Sequence, residues 1–221
     1  MSSRRTHVVT ATATPADTPD LETRDRLLHE AALLFATHGF DSVTVRDICQ
    51  QAHANLAAIN YHFGGKAGLY AEVLNVAIQT MQATTEEIRK AGAGRSPDQQ
   101  LEAAIRVFLT RVATTKDKWI HQLMLREVAN PTAAFDAILK RVLEPRMAYM
   151  RSAIAGIMRC PVSDRRVALC MMSVQAQLHA LLNSPLAERL ASPRLTAADA
   201  DRLARHIACF SIAGVRAIAT T

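Results

Sequence analysis

Apolar residues recur every three or four positions along most of the chain, which is the spacing of amphipathic helices. Between residues 21 and 38, for example, Leu27 and Ala31 lie on one side of a helix, and Asp25 and His29 lie on the other. Alternating runs typical of strands are scarce. The pattern predicts an all-α fold of about nine helices, at residues 21–38, 45–52, 56–63, 66–90, 97–115, 118–129, 133–158, 164–183 and 196–219.

Two of the predicted helices are short and are joined by only a few residues. Gly39 ends the helix before them, since glycine suits the left-handed position that follows a helix. Thr44 is a good N-cap, with Asp47 placed to complete a capping box, and Asn55 is a good N-cap for the next helix. Two short helices separated by a tight turn predict a helix-turn-helix.

Other glycines and a proline predict where helices break and where the chain divides into domains. Glycines 64 and 65 break the chain before a long helix, and Pro145 should kink or split the helix at 133–158, because proline cannot donate a backbone hydrogen bond. We expect a disordered tail at 1–20, a helix-turn-helix domain at 21–66 and a second helical domain at 67–221.

Composition limits the class of protein but does not identify its partner. Apolar residues make up 49% of the chain, yet no window approaches 18 consecutive apolar residues, so we expect no membrane span and no membrane partner. The net charge is +6, but residues 1–66 carry six basic side chains against seven acidic ones. Overall charge can assist an encounter with DNA. Here it is no evidence that the first third of the chain binds DNA.

The N-terminal residues predict a cytoplasmic protein. The first twenty residues lack the apolar segment of a secretory signal. Arg4 and Arg5 lie in this segment, either as a basic arm for a minor groove or as part of a plain solvated terminus. The four cysteines show no metal-ligand spacing and are expected to be buried thiols, and the eight histidines include no i, i+4 pair. We therefore predict neither a metal site nor a cofactor.

The stretch 26–74 resembles the DNA-binding domain of the tetracycline-repressor (TetR) family over its whole length. This resemblance implies a transcriptional regulator, in most cases a repressor, that binds palindromic operator DNA as a homodimer. The matching landmarks are Gly39-Phe40, Thr44-Val45-Arg46-Asp47-Ile48 and Asn60-Tyr61-His62-Phe63-Gly64-Gly65-Lys66.

Candidate DNA contacts lie on and around the second helix of the motif, which enters the major groove in proteins of this kind. Asn60 can both donate and accept, as recognition of adenine requires. The resemblance implies that Tyr61 and His62 contact phosphates, and Thr44 and Lys66 lie at helix starts that suit a phosphate. The predicted DNA-binding residues are Thr44, Arg46, Asn55, Leu56, Ala57, Asn60, Tyr61, His62 and Lys66.

Some of these residues also have a purely structural interpretation. Tyr61 can instead be a core aromatic, and capping alone accounts for Thr44. In addition, His53 stands in the turn where the family usually has a glycine. A side chain at that position leaves a left-handed backbone conformation strained or avoided.

The last two long helices are apolar on more than one side, which predicts that they serve both the domain core and a second subunit. Two helices from each protomer can form a four-helix interface. A single thick core without dimerisation is the alternative. The predicted interface residues are Leu169, Met172, Ala176, Ala180, Leu203, Ile207, Phe210, Gly214 and Ala217.

Residues 125–132 and 206–217, together with Pro145-Arg146 and Gln177, are similar to the CecR (YbiH-like) subgroup of the family. This similarity implies control of transport, efflux or drug-sensitivity genes, and a small-molecule inducer that binds the second domain and releases DNA. Ligand pockets combine an apolar lining with a few polar groups. The candidate pocket residues are Phe108, Trp119, Met124, Met171, Gln175 and His179, for each of which core packing is the alternative.

Three other functions are the alternatives to a DNA-binding regulator. An enzyme is disfavoured because the sequence contains no nucleophile elbow, zinc-protease motif, P-loop or dinucleotide fingerprint. A metal sensor is disfavoured by the histidine spacing. A helix-turn-helix that serves only as a protein-interaction module remains open, because the first third of the chain is slightly acidic.

Overall fold

A computed structural model of the chain describes residues 18–114, 118–183 and 197–220, and this part is helical with no strand. The all-α prediction is confirmed. The helices are α1 (Thr18–His38), α2 (Val45–Gln51), α3 (Leu56–Phe63), α4 (Lys66–Gly92), α5 (Pro97–Thr114), α6 (Lys118–Ala129), α7 (Phe135–Ile138), α8 (Glu144–Met158), α9 (Arg165–Asn183) and α10 (Ala197–Ala219).

The described residues divide into two compact units. Those up to Val73 form the first unit and those from Leu74 onward form the second, so the division lies inside α4. Helix α1 begins at Thr18, three residues before its predicted start. The rest of the predicted tail, including both of its arginines, lies outside the described residues.

The first unit is held together by the apolar face of α1. Leu27 and Phe35 are fully buried there, and α2 and α3 contact this helix through their own buried residues, Ile48 and Ile59. An aromatic contact reinforces the packing, because the ring of Tyr70 meets that of Phe35 edge-on at 4.9 Å. Neither short helix could bury enough surface alone, so α1 is their common support.

The second unit is a bundle in which α5, α8, α9 and α10 pack on one another. Leu109, Ile154 and Val174 are among the residues buried at its centre. Helices α5 and α8 approach closely at Gly156 of α8. A β-carbon on this residue would lie 2.7 Å from Cγ of Pro97 at the start of α5. Glycine at this position lets the two helices meet.

Pro145 interrupts its helix as predicted. A π-helical turn at Leu139–Leu143 separates α7 from α8, and Pro145 lies in the first turn of α8. Because proline has no N–H, the carbonyl of Arg141 loses its usual helical donor. The side-chain amide of Gln82 on α4 donates to that carbonyl at 3.3 Å. The interruption therefore also links this helical stretch to α4.

Candidate functional site

The start of α2 is closed by a reciprocal cap. Oγ1 of Thr44 accepts a hydrogen bond from the N–H of Asp47 at 3.2 Å, and Oδ2 of Asp47 accepts from the N–H and hydroxyl of Thr44 at 2.9 and 2.6 Å. These bonds hold the pKa of Asp47 below its usual value, with the hydroxyl as the largest cause. The predicted capping box is confirmed. The hydroxyl of Thr44 is therefore already hydrogen-bonded as the N-cap of α2.

The turn between α2 and α3 keeps the left-handed conformation even though it carries a histidine. His53 has φ 49°, and the next residue, Ala54, donates its N–H to the carbonyl of Cys49 at 2.9 Å. Oδ1 of Asn55 then accepts from the N–H of Ala57 at 3.0 Å and caps α3 as predicted. The strained conformation is therefore adopted rather than avoided.

Helix α3 presents one exposed face and buries the other. Ile59 and Phe63 pack inward. The exposed surface is formed by two pairs of residues four positions apart, Leu56 with Asn60 and Ala57 with Tyr61, because such residues share a face in a helix. Tyr61 is 77% exposed on that side, so it is not a core aromatic. The other exposed members of the face are Leu56, Ala57 and Asn60, and Arg46 of α2 is exposed as well.

His62 has a different environment from its neighbours. Its side chain is only 8% exposed, and Nε2 lies 3.2 Å from Oδ1 of Asp20 in the first turn of α1. Its ring also meets that of Tyr61 edge-on at 4.9 Å. The imidazole is therefore directed at a carboxylate of α1 and not outward with the rest of the predicted DNA contacts.

The junction between α3 and α4 depends on glycine. Gly64 ends α3 with φ 67° and donates its N–H to the carbonyl of Asn60 at 3.0 Å. A β-carbon on Gly68 would lie 1.8 Å from the carbonyl oxygen of Phe63, so no other residue fits there without moving the backbone. Sequence reasoning missed Gly68, although a glycine inside a helix is a signal of close approach.

Lys66, at the first position of α4, is half-buried. Its ammonium group lies 4.4 Å from the centre of the Phe40 ring, a cation–π contact. The aromatic ring holds the lysine beside the end of α3.

The second unit contains a cavity of about 90 Å³. Four of the six predicted pocket residues line it, namely Phe108, Met124, Gln175 and His179. Trp119 and Met171 are not among the lining residues, and both are buried in this unit. The further lining residues are Met81, Ile88, Ala104, Ile105, His121, Leu125, Val128, Leu143, Arg146, Met147, Met150 and Leu178.

Arg146 and His121 are the polar lining residues that sequence reasoning did not identify. Arg146 donates from Nη2 to the carbonyl of Met81 at 3.0 Å and from Nε to Oγ1 of Thr85 at 3.3 Å, both on α4. It keeps some accessible surface, yet desolvation lowers its pKa to about 10. Desolvation, followed by the nearby charges of His179 and Arg146, lowers the pKa of His121 to about 4.

Helices α9 and α10 carry exposed apolar side chains. Leu169, Met172 and Phe210 are 52%, 62% and 65% exposed. Ala176, Ala180, Gly214 and Ala217, which were predicted with them, are exposed as well. Two predicted interface residues belong elsewhere: Ile207 is buried in the core of the unit, and Leu203 is partly buried against that core.

Two further properties concern the described ranges only. No helix in them is both long and apolar enough to cross a membrane. Within the same ranges, no three His, Cys, Asp or Glu side chains are grouped so as to hold a metal ion.

A helix-turn-helix with an outward-facing second helix, followed by a separate helical unit, defines a class of helical transcriptional regulators. Two family models match the chain: "Bacterial regulatory proteins, tetR family" over residues 27–73, and "HTH-type transcriptional dual regulator CecR, C-terminal domain" over residues 97–215. The chain belongs to the TetR family of bacterial transcriptional regulators and carries a CecR-type C-terminal domain.

Curated relatives agree with this assignment. The "HTH-type transcriptional dual regulator CecR" of Shigella flexneri is 29% identical over 181 residues, which is 76% of each chain. The "Probable acrEF/envCD operon repressor" of Escherichia coli K12 is 32% identical over 93 residues, or 42% of each chain. These relatives are transcriptional regulators, which are not enzymes, and the enzyme alternative is set aside on that ground.

Solved structures support the fold. A TetR-family regulator from Bordetella parapertussis has a TM-score of 0.66 at 19% identity, over 83% of this chain and 93% of its own. The ketosteroid transcriptional regulator KstR2 of Mycobacterium tuberculosis has a TM-score of 0.65 at 19% identity, over 86% of this chain and 93% of its own.

The left-handed His53 provides a test of the turn. We expect His53→Gly to raise the free energy of unfolding by about 0.5–1 kcal/mol, because glycine adopts this conformation without a clash between Cβ and the backbone. Urea unfolding of the two variants His53→Gly and His53→Ala measures the effect. The alanine variant keeps the β-carbon and should not gain stability. An equal gain in both would show that the imidazole, and not the backbone, is the source.

Proposed function

We propose that this regulator is a repressor that binds palindromic operator DNA as a homodimer and is released by a small-molecule inducer. Its targets would be transport, efflux or drug-sensitivity genes. The observation that carries the proposal is the exposed face of α3, which has the length and surface expected of a helix that enters a major groove.

The residues of that face divide by chemistry into two roles. Asn60 can form the paired hydrogen bonds that distinguish adenine, and Leu56 and Ala57 can approach thymine methyl groups. Tyr61 and Lys66 would contact phosphates, which position the protein without reading sequence. Arg46, exposed in the first turn of α2, would join the phosphate contacts.

Three of the proposed contacts have a structural duty as well. Thr44 and Asn55 cap helices through their side chains. Their role in DNA binding would therefore be to position the helix ends at the sugar–phosphate backbone of the DNA. His62 would have to leave Asp20 to reach a phosphate. We therefore assign His62 to the support of α3 by α1 and place it last among the proposed contacts.

Dimerisation follows from the requirements of a palindromic site. Two recognition helices must lie one DNA turn apart, roughly 34–36 Å, which one chain cannot supply. The exposed apolar side chains of α9 and α10 are the proposed interface, because burying them against the same face of a second copy would remove them from water. Gly214 lies on this face, and the space beside it is open, which allows close helix approach.

Release by a ligand requires that the ligand bind more tightly to an arrangement that does not fit DNA. Helix α4 is the proposed connection. Its first turn carries Lys66 and Gly68 beside α3, and its later turns carry Met81 and Ile88 in the cavity wall. A ligand that shifts the later turns of one continuous helix acts on an element that also supports the recognition helix.

The names of the relatives support the regulatory part of the proposal. The Escherichia coli protein is named a "probable" operon repressor, and the Shigella protein is named a dual regulator. Repression is the simpler of the two modes, since a bound dimer only has to obstruct a promoter. Activation at other sites would add to this mode and would not replace it.

A DNase footprint on the DNA upstream of the gene tests the proposal directly. At roughly physiological salt we expect a protected inverted repeat, and release of that protection by an inducing compound. Absence of protection on this DNA and on a randomised pool alike would contradict the proposal. It would instead favour a helix-turn-helix that serves protein interaction.

Base reading and phosphate contact can be separated by two substitutions. We expect Asn60→Ala to cost about 1–3 kcal/mol at one base position and to relax discrimination there. Lys66→Ala should weaken binding to all sequences and lower the salt slope by about one. Binding to a base-substituted operator panel at graded salt measures both effects.

Lys90→Ala is the matched control, because Lys90 is an exposed lysine at the far end of α4. It should leave affinity and salt slope close to those of the unchanged protein. Equal losses across the panel for Asn60→Ala and Lys66→Ala would contradict the division of roles.

The proposed dimer can be broken without disturbing the core. We expect Phe210→Asp to convert the dimer to a monomer, because a carboxylate would be buried against a second apolar face. Light scattering after gel filtration measures the mass, and the operator footprint should be lost with the dimer. Gly214→Leu should have the same effect, since its side chain would extend into space that is open in the single chain.

Val162→Asp is the control for this pair of variants. Val162 is 49% exposed, lies between α8 and α9, and is not one of the residues proposed for the interface. It should leave the mass unchanged. A dimer that survives Phe210→Asp and Gly214→Leu would place the interface elsewhere.

A further inference from the structure

The cavity of the second unit has a cation in its wall. Arg146 lies in the first turn of α8, after Pro145, and its guanidinium donates to the carbonyl of Met81 and to the hydroxyl of Thr85. Both acceptors are neutral. The hydrogen bonds orient the side chain across to α4, but they leave its charge uncompensated.

No acidic side chain balances this charge within the described ranges. Arg146 forms none of the ion pairs found there, and the lining residues include neither aspartate nor glutamate. The guanidinium stays protonated at neutral pH, because its pKa, though lowered by desolvation, is about 10. A partly buried cation without a counterion is costly, and proteins normally pair such a group.

The guanidinium has hydrogen-bonding capacity to spare. It carries five N–H donors in a planar fork, and two of its nitrogen atoms donate to α4. The planar fork matches a carboxylate in geometry, and bonds between two charged groups are about twice as strong as neutral ones. The partner that the guanidinium of Arg146 lacks in this cavity is therefore an anion.

The two histidines of the cavity do not change its charge. His121 lies with its ring 5.7 Å from that of His179 and nearly perpendicular to it. Burial lowers the pKa of both, that of His121 to about 4, so both are neutral at neutral pH. Neutral imidazoles can donate a hydrogen bond to a ligand but cannot supply the counter-charge of an anion.

The rest of the lining is apolar. Phe108, Met124, Met147 and Leu178 offer hydrocarbon, sulfur and aromatic surface. Methionine adapts its shape to different ligands. A small hydrated anion would gain nothing from such walls, and a pure hydrocarbon would leave the guanidinium unpaired.

We propose that the cavity binds an amphipathic carboxylate, with the carboxylate on Arg146 and the apolar body against Phe108 and Met124. This inference rests on the proposed function, in which the same cavity holds the inducer. Arg146 is also the side chain that joins α8 to α4 through Met81 and Thr85. A carboxylate that engages the guanidinium therefore acts on the contacts that hold α4.

Two pairs of probes test the inference on the protein without DNA: 1-naphthoate against 1-naphthamide, and octanoate against octanamide. Within a pair the apolar body is the same and only the charge differs. Isothermal titration calorimetry on the unchanged protein should give a carboxylate affinity about ten to a hundred times that of the amide. Equal affinities in both pairs, or no binding of either carboxylate, would overturn the proposal.

Arg146→Met should remove this preference, so that carboxylate and amide bind about equally. Its melting temperature should stay the same or rise, because a partly buried cation with no acidic partner in the described ranges is replaced by an apolar side chain. Arg146→Lys keeps the charge and should retain part of the preference. Arg151→Met is the matched control, since Arg151 is exposed on the same helix, and it should retain the full preference. A preference that persists in Arg146→Met would overturn the assignment.

A final arm separates this inference from the function on which it rests. If 1-naphthoate binds through Arg146 and the operator footprint persists, the anion site is supported and release by that ligand fails. If the footprint forms and responds to other compounds while carboxylate and amide bind equally, the regulator is supported and the anion site is wrong.

Discussion

The exposed face of α3 depends on how both ends of an eight-residue helix are held. A helix of this length is marginal by itself in water, so its geometry comes from its neighbours. Asn55 caps the first turn and Gly64 ends the last one in a left-handed conformation. Gly68 then lets the first turn of α4 lie against the carbonyl of Phe63, where any β-carbon would collide. The outward surface that the proposed function needs is a consequence of these restraints.

The helix ends could be predicted because their signals are local. Capping residues, glycines and a proline act within a few positions of where they stand, and α3 begins and ends at its predicted residues. Contacts between distant segments carry no such signal. The periodicity of α3 cannot reveal that His62 points to Asp20, and two apolar stripes on α10 do not tell which faces the core. For that reason the sequence pattern predicts Ile207 at the dimer interface, although it is buried in the core.

The cavity was predictable only in part, for the same reason. Phe108 and His179 could be proposed from their chemistry, whereas Trp119 has equal chemistry and lies in the core. Arg146 could not be proposed, because an arginine in a helix ordinarily indicates a solvated face. Arg146 is notable because it has no acidic partner among the described residues. Only the folded structure, and not the sequence, shows which side chains surround it.

The energy that a ligand must supply explains why both parts of the proposed inducer are needed. Moving a two-state equilibrium from one part in a hundred to ninety-nine requires about 5.5 kcal/mol of differential affinity. A hydrogen bond to a charged group contributes about 1.5–3 kcal/mol. The guanidinium of Arg146 therefore provides only a fraction of the switch, and burial of the apolar body against residues such as Phe108 must provide the rest. On this reasoning a simple anion leaves the DNA-bound arrangement in place, and so does a neutral hydrocarbon. A molecule that combines the two can change it.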